Sequence, residues 1–240
     1  QPNFENCAEN VIVDDCSSDG SVEYINSRYK SYMEQKRIKV IELEKNLGVT
    51  GAKNEGFHCA AGEWVVFLDS DDLLVSNRLT AMSEILRKKN DKPIVFFRCV
   101  NQNGDFVGQA FSEDKLLDIA TYVKEVSYGE ALTAINKAIV KKEPYIAELR
   151  GCEGLGCSRV IKKYGDALLS TLIARVYVQN NNDRLSVGRG FLVRLSLIAK
   201  GHFLMVREFS KYMSFSRRMS LLLKGTLYYV IGKTYLWIHR

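Results

Sequence analysis

The sequence predicts an α/β fold: a Rossmann-like, open, mostly parallel sheet with helices on both faces, followed by a helical carboxyl-terminal segment. Three observations carry this. Over the first hundred residues short β-rich runs alternate with amphipathic segments, the pattern of strand-helix-strand units. One run, Trp64-Val65-Val66-Phe67-Leu68, is apolar throughout, as expected of a strand covered on both faces. Two runs stop abruptly in acids, at Asp14-Asp15 and at Asp69-Ser70-Asp71-Asp72, where strands would give way to loops.

The elements follow in order. Val11-Ile12-Val13 is a strand feeding the turn-forming Cys16-Ser17-Ser18-Asp19-Gly20. Residues 21–36 place Val22, Ile25, Tyr29 and Met33 at three- and four-residue spacing, which predicts a helix lying on the sheet. Ile38 to Leu43 is a second strand. Asn46, Gly48, Gly51, Asn54 and Gly56 open a loop into a short helix, and Trp64 to Leu68 is the third strand. Leu79, Met82, Ile85 and Leu86 mark a helix, Ile94 to Val100 a strand, and Asn103-Gly104 a turn closing a hairpin with the Phe106 region. Beyond Ser112 the periodicity weakens, and helical stretches are expected at Glu113–Tyr122 and Glu130–Lys142. We divide the chain into residues 1–110, 111–218 as the second half of the same domain, and an amphipathic helix over 219–240.

That last segment mixes Leu221, Leu222, Leu223, Leu227, Val230, Ile231, Leu236 and Trp237 with Lys224, Lys233 and Arg240. It suits a helix in a membrane headgroup region, and equally a helix docked on its own domain or on a second copy in a homodimer. Charge is divided unevenly along the 240 residues. From Arg184 onward there are eleven Lys or Arg and one acid, Glu208, whereas residues 1–183 carry 23 basic against 27 acidic residues, net −4. An acidic body argues against a general nucleic-acid binder. The basic end suits an anionic surface such as the inner leaflet of a membrane, or is simply a solvated face. The six cysteines include no CxxC pair and are read as reduced, hence a cytoplasmic protein. His58, His202 and His239 lack zinc-site spacing.

In an open parallel sheet ligands bind beyond the carboxyl ends of the strands, so Asp14, Asp15, Asp69 and Asp71 are expected to converge. An acidic cluster repels a nucleotide diphosphate unless a divalent cation lies between them, and hard oxygen ligands favour Mg2+ or Mn2+. An isolated Asp-x-Asp is more often a helix cap or solvated turn; here it follows a buried strand.

The run Val11 to Gly20, then Asn46-Leu47-Gly48 with Ala52-Lys53-Asn54-Glu55-Gly56, then Ala61-Gly62-Glu63 leading into Phe67-Leu68-Asp69-Ser70-Asp71-Asp72, resembles the family 2 glycosyltransferases of the GT-A fold. The match is close over residues 1–110 and loose beyond. It implies inverting transfer of a sugar from a nucleotide-sugar donor, most often a UDP-sugar, to a glycan or lipid-linked acceptor hydroxyl in bacterial polysaccharide or glycolipid synthesis. Under this resemblance Asp15 matches the residue bonded to the nucleotide base, with Asp14 in the surrounding turn. Lys53 stands where the family usually has Arg near the donor, keeping the charge but not the bidentate fork. Asp69 and Asp71 match the motif that holds the metal, ribose and diphosphate. The family's base is an Asp in the second half. Gly188-Arg189-Gly190 occupies its expected place, which leaves Asp183, with Glu153 and Asp166 as lesser candidates.

The family also carries a strand, loop and helix before the first acidic pair. Gln1-Pro2-Asn3-Phe4 resembles the end of that helix, so the amino-terminal strand is expected to be missing. Two other classes compete: a degenerate, non-catalytic nucleotide-sugar-binding module, and an unrelated nucleotidyltransferase or NTPase. Against the latter, Gly51 to Gly56 has P-loop spacing but Phe57 replaces the required Lys.

Overall fold

The computed structural model describes residues 9–75, 77–124, 129–178 and 188–239. Strand β1 (Asn10–Asp14) is followed by two short helices, α1 (Ser21–Arg28) and α2 (Lys30–Glu34), and by β2 (Ile38–Glu42). Next come α3 (Gly48–Cys59), β3 (Trp64–Phe67), the two-residue β4 (Leu73–Leu74), α4 (Leu79–Lys88) and β5 (Ile94–Asn101). The second half supplies β6 (Lys115–Leu117), α5 (Ile119–Lys124), β7 (Ala131–Asn136), α6 (Glu153–Tyr164), β8 (Ala167–Tyr177), α7 (Gly188–Phe209) and α8 (Phe215–Ile238).

β1 and β2 pair in parallel as a sheet of their own among the described residues. The larger sheet runs β3-β7-β5-β8-β4, with β6 also on β8. The fold class is that expected, α/β with a helical carboxyl-terminal segment, but this sheet is mixed rather than mostly parallel. β5 and β8 are parallel, whereas β3-β7, β5-β7, β4-β8 and β6-β8 are antiparallel. Two of the four antiparallel pairs involve β7, where a helix over Glu130–Lys142 was expected. Ala131-Leu132-Thr133-Ala134-Ile135-Asn136 fills the slot between β3 and β5, and the pairing available on both edges overrides the modest helix preference of Ala and Leu. The expected helix over Glu113–Tyr122 is likewise a short strand and then α5. Since β7 lies between β3 and β5, the strands of residues 64–101 and 115–177 share one sheet. The hairpin at Asn103-Gly104 is present: Val100 bridges Phe106, and Gly104 turns with φ +87°.

β5 is buried on both faces and shows how the layers form. Ile94 and Phe96 join Phe57 of α3, Phe67, Tyr145 and Ile161 of α6 on one side. Val95 and Phe97 join Met82 and Leu86 of α4 and Leu132 on the other. The period of two in a strand places a helical layer on each face of this sheet. A third cluster of Val123, Leu149, Leu155, Phe209 and Met213 seats the end of α7 against α5 and α6. Arg159 of α6 locks it with a two-point bond to Glu208, at 2.8 and 2.6 Å. Helix α8 starts four residues before the expected Met219 because the Ser214 hydroxyl caps it, accepting from the Arg217 amide. It packs along α7, and among the described residues no helix is long and apolar enough to cross a membrane.

Candidate functional site

The site is built around α3. At its start the Asp15 carboxylate, just past β1, accepts from the Leu47 and Gly48 amides at 2.6 and 2.7 Å. These amides have no partner within the helix, and the carboxylate complements the helix dipole from another element. The motif Asn46-Leu47-Gly48 serves the same junction. The Asn46 amide donates to the Asp15 carbonyl, and Gly48 sits at φ +73° with the Arg150 side chain lying where a Cβ would be. Asp14 makes a local turn instead, its carboxylate accepting from the Ser17 amide at 2.9 Å.

Five residues along α3, about 7.5 Å of helix rise, Lys53 reaches the second acidic segment. Its ammonium lies 2.8 Å from Asp69 and 3.4 Å from Glu153, the first residue of α6. Burial alone would lower the Lys53 pKa, but Asp69 and Glu153 outweigh it and hold the value above the ordinary 10.5. α3 therefore joins the two acidic strand ends: Asp15 at its first turn, Asp69 one and a half turns later.

After β3 the chain turns through Asp69–Asp72, with the Asp72 amide donating to the Asp69 carbonyl. Asp69 is half-buried, Asp71 exposed and Asp72 buried. Behind them lies Arg175 of β8, which sequence reading missed. Its guanidinium is 3.1 Å from Asp72, 3.6 Å from Asp69 and 3.2 Å from Glu130, and its Nε donates to the Cys99 sulfur. Burial raises the Asp72 carboxyl above its ordinary 3.8, with the Val178 amide and Arg175 pulling the other way. The signal available was a single charge inside the otherwise uncharged run Ala167–Tyr177.

Asp183 and Gly188-Arg189-Gly190 fare differently from these. Asp183 lies outside the described residues. The three residues expected to replace the family acid open α7. Asp166 is exposed beyond the carboxyl end of α6, a helix about 16 Å long from Glu153 to Tyr164, and is not part of the cluster.

The arrangement sets Asp69, Asp72, Glu130 and Glu153 against Lys53 and Arg175, with Asp71 adding a like charge near Asp72. Among the described residues no group of three or more His, Cys, Asp or Glu side chains is placed to hold a metal ion by itself. A surplus of carboxylate with Asp71 and Glu130 exposed fits a cation that keeps several waters and shares its shell with substrate phosphates.

Comparison with known proteins agrees with this architecture. The family model described as Glycosyl transferase family 2 matches residues 5–141. The chain is 29% identical over 153 residues to the GalNAc(5)-diNAcBac-PP-undecaprenol beta-1,3-glucosyltransferase of Campylobacter jejuni, covering 60% of this chain and 47% of that protein. It spans less than half the length of the curated relatives it matches. Two solved structures share its fold. The mannosyltransferase PcManGT from Pyrobaculum calidifontis, in complex with GDP-Man and Mn2+, superposes with TM-score 0.61 at 16% identity, covering 96% of this chain and 65% of that one. S. aureus TarS 1–349 in complex with UDP gives 0.59 at 17% identity, covering 95% and 82%. The fold is GT-A. With its model matching 137 of 240 residues, the chain belongs to glycosyl transferase family 2.

Proposed function

We propose that this chain carries out inverting, metal-dependent transfer of a sugar from a nucleotide-sugar donor, a UDP-sugar in our reading, to a hydroxyl of a glycan or lipid-linked acceptor in bacterial envelope synthesis. The observation that carries the proposal is the convergence on α3: one helix is capped by Asp15 and, through Lys53, holds Asp69 of the second acidic segment. In this reading the nucleotide base lies toward Asp14 and Asp15, and the diphosphate toward Lys53 and the Asp69–Asp72 turn.

Mn2+ or Mg2+ would be held first by Asp71, the exposed carboxylate, with Asp69 beside it restrained by Lys53 and Arg175. The chemistry such an ion supplies when bound is neutralisation of the charge that gathers on the departing nucleoside diphosphate. Lys53 adds a fixed positive charge on the same side. Arg175 keeps the turn in place from behind rather than meeting the donor, being buried. Asp183 takes the proton from the attacking acceptor hydroxyl. An acceptor on a lipid carrier, such as the name of the Campylobacter relative describes, would bring the reaction to a membrane surface, which we read as the cytoplasmic face.

A thermal-shift panel of nucleoside diphosphates with and without Mn2+ tests the donor site. UDP at about a hundred times its dissociation constant stabilises by about 2.7 kcal/mol. The expected result is stabilisation by UDP that needs Mn2+ and is lost in Asp71→Ala. Indifference to every nucleotide would refute the reading. Asp183→Asn is expected to keep UDP binding and lose transfer; unchanged turnover would remove Asp183 as the base.

A further inference from the structure

Helix α8 presents two contrasting sides. The side against α7 is marked by Gly225 and Gly232, where an added Cβ would lie 2.9 Å from the Phe203 ring and 2.8 Å from the Ser196 backbone. At about 100° per residue the opposite side carries Phe215, Met219, Leu223, Leu227, Val230 and Trp237. All six are exposed, Leu223 by 66% and Trp237 by 78%. Between them stand only Ser216, Ser220, Thr226 and Thr234, without a charge. Lys224 and Lys233, nine residues and therefore half a revolution apart, run along the two flanks of this apolar face. From Phe209 to His239 there is no acidic residue.

Beside the Lys224 flank, α7 and α8 enclose a groove of about 650 Å3 lined by Phe191, Ile198, His202, Arg217, Lys224 and Tyr228. Arg217 also borders a second cavity with Lys124 and Lys211. The Nδ1 of His202 and the Nε of Arg217 are buried there without a hydrogen-bond partner. Burial first, then the neighbouring Lys224 and Arg217, hold His202 below its ordinary 6.5. Among the described residues no carboxylate pairs with Arg217, Arg218, Lys224 or Lys233. A buried guanidinium N–H with no acceptor, beside basic side chains and an apolar face, suits an anion with a hydrocarbon tail.

We propose that the outer face of α8 docks on an anionic phospholipid bilayer, its apolar residues entering the interface while Arg217, Lys224 and His202 receive a lipid phosphate in the groove. The charge pattern chooses this occupant over a second copy of the chain. An isologous pair would set two acid-free, basic helices against each other, whereas lipid phosphates complement the flanking lysines. No residue of α8 belongs to the carboxylate site, so the inference stands whether or not the transfer reaction does.

Co-sedimentation with vesicles of phosphatidylcholine, with and without phosphatidylglycerol, tests it. Binding is expected only with phosphatidylglycerol and is expected to weaken with salt. Removing one flanking lysine should cost about fivefold, and Lys224→Ala with Lys233→Ala about thirtyfold. Leu227→Asp should abolish binding. All of these side chains are exposed, so the melting temperature should hold and report an intact fold. Equal binding to both vesicle types, no binding to either, or displacement by free glycerol phosphate would overturn the proposal. So would a dimer in sedimentation velocity that Leu227→Asp dissociates.

Discussion

Arg175→Met offers the sharpest test of how the acidic turn is held. In the native chain the guanidinium lies 3.1 Å from Asp72, whose side chain is only 1% exposed. Deleting the cation strands a buried carboxylate, which costs about 3–5 kcal/mol unless the group takes up a proton. Protonation sets the ceiling. Holding a carboxyl of ordinary value 3.8 neutral at pH 7 costs about 4 kcal/mol, at about 1.36 kcal/mol per pH unit, and at pH 5 less than about 2 kcal/mol. The sign follows from a folded-state value above the unfolded one: the neutral form's contribution is complete below 3.8 and is lost as pH rises through the raised value. Arg175→Met should therefore lose about 3–4 kcal/mol at pH 7 and roughly half that at pH 5, measured by urea denaturation. Asp72→Asn keeps an acceptor for the Val178 amide without the charge. The double variant should regain about 2 kcal/mol over Arg175→Met at pH 7 and lose the pH dependence. A cost that is equal at the two pH values, or a double variant no more stable than Arg175→Met, would refute the buried-pair account.

Three further outcomes follow from the same structure. Gly48→Ala should cost more than Gly104→Ala. Both sit at positive φ, about 1–2 kcal/mol for an L side chain, but only at Gly48 must a neighbour, Arg150, move aside, and denaturation curves of the two variants read the difference. Asp15→Ala should destabilise by about 1–2 kcal/mol and speed amide exchange at Leu47 and Gly48, which lose their acceptor. Glu208 is held below its ordinary 4.5 by its bond from Arg159, so its contribution is present above that value and lost as pH falls through the folded value; the melting-temperature gap between the native chain and Glu208→Gln should narrow in acid.

What could be read from the sequence was whatever local order enforces. Asp14-Asp15 and Asp69–Asp72 stood out because each follows an apolar run, and a strand's end is a local event. The order of pairing is not. Glu130–Lys142 carries Ala, Leu and Lys in a helical rhythm, and only the slot between β3 and β5 makes Ala131–Asn136 a strand. Arg175 was missed for a related reason: its partners are 103 and 106 residues away at Asp72 and Asp69, and no local period reports a charge whose counter-ions come from another strand. Gly225 and Gly232 could have been read. Seven residues apart in an apolar helix, they mark the side that faces a neighbour and so, by subtraction, the side that does not.

The position of α3 explains why the acidic segments depend on each other. β1-β2 and the larger sheet exchange no backbone pairing among the described residues, so their alignment rests on what lies between them. α3 grips the first through Asp15 and through Gly56, packed near Val13, and the second through Phe57 in the core beside Phe67 and through Lys53 on Asp69. Asn54 fixes the helix further, donating to and accepting from the Tyr145 backbone inside the core. A shift at the Asp15 cap would therefore travel along a stiff rod to Lys53 and alter how Asp69 is held. A donor that bridges both segments would in turn add a connection where the backbone of the described residues supplies none, making donor binding and the alignment of the two sheets one linked equilibrium.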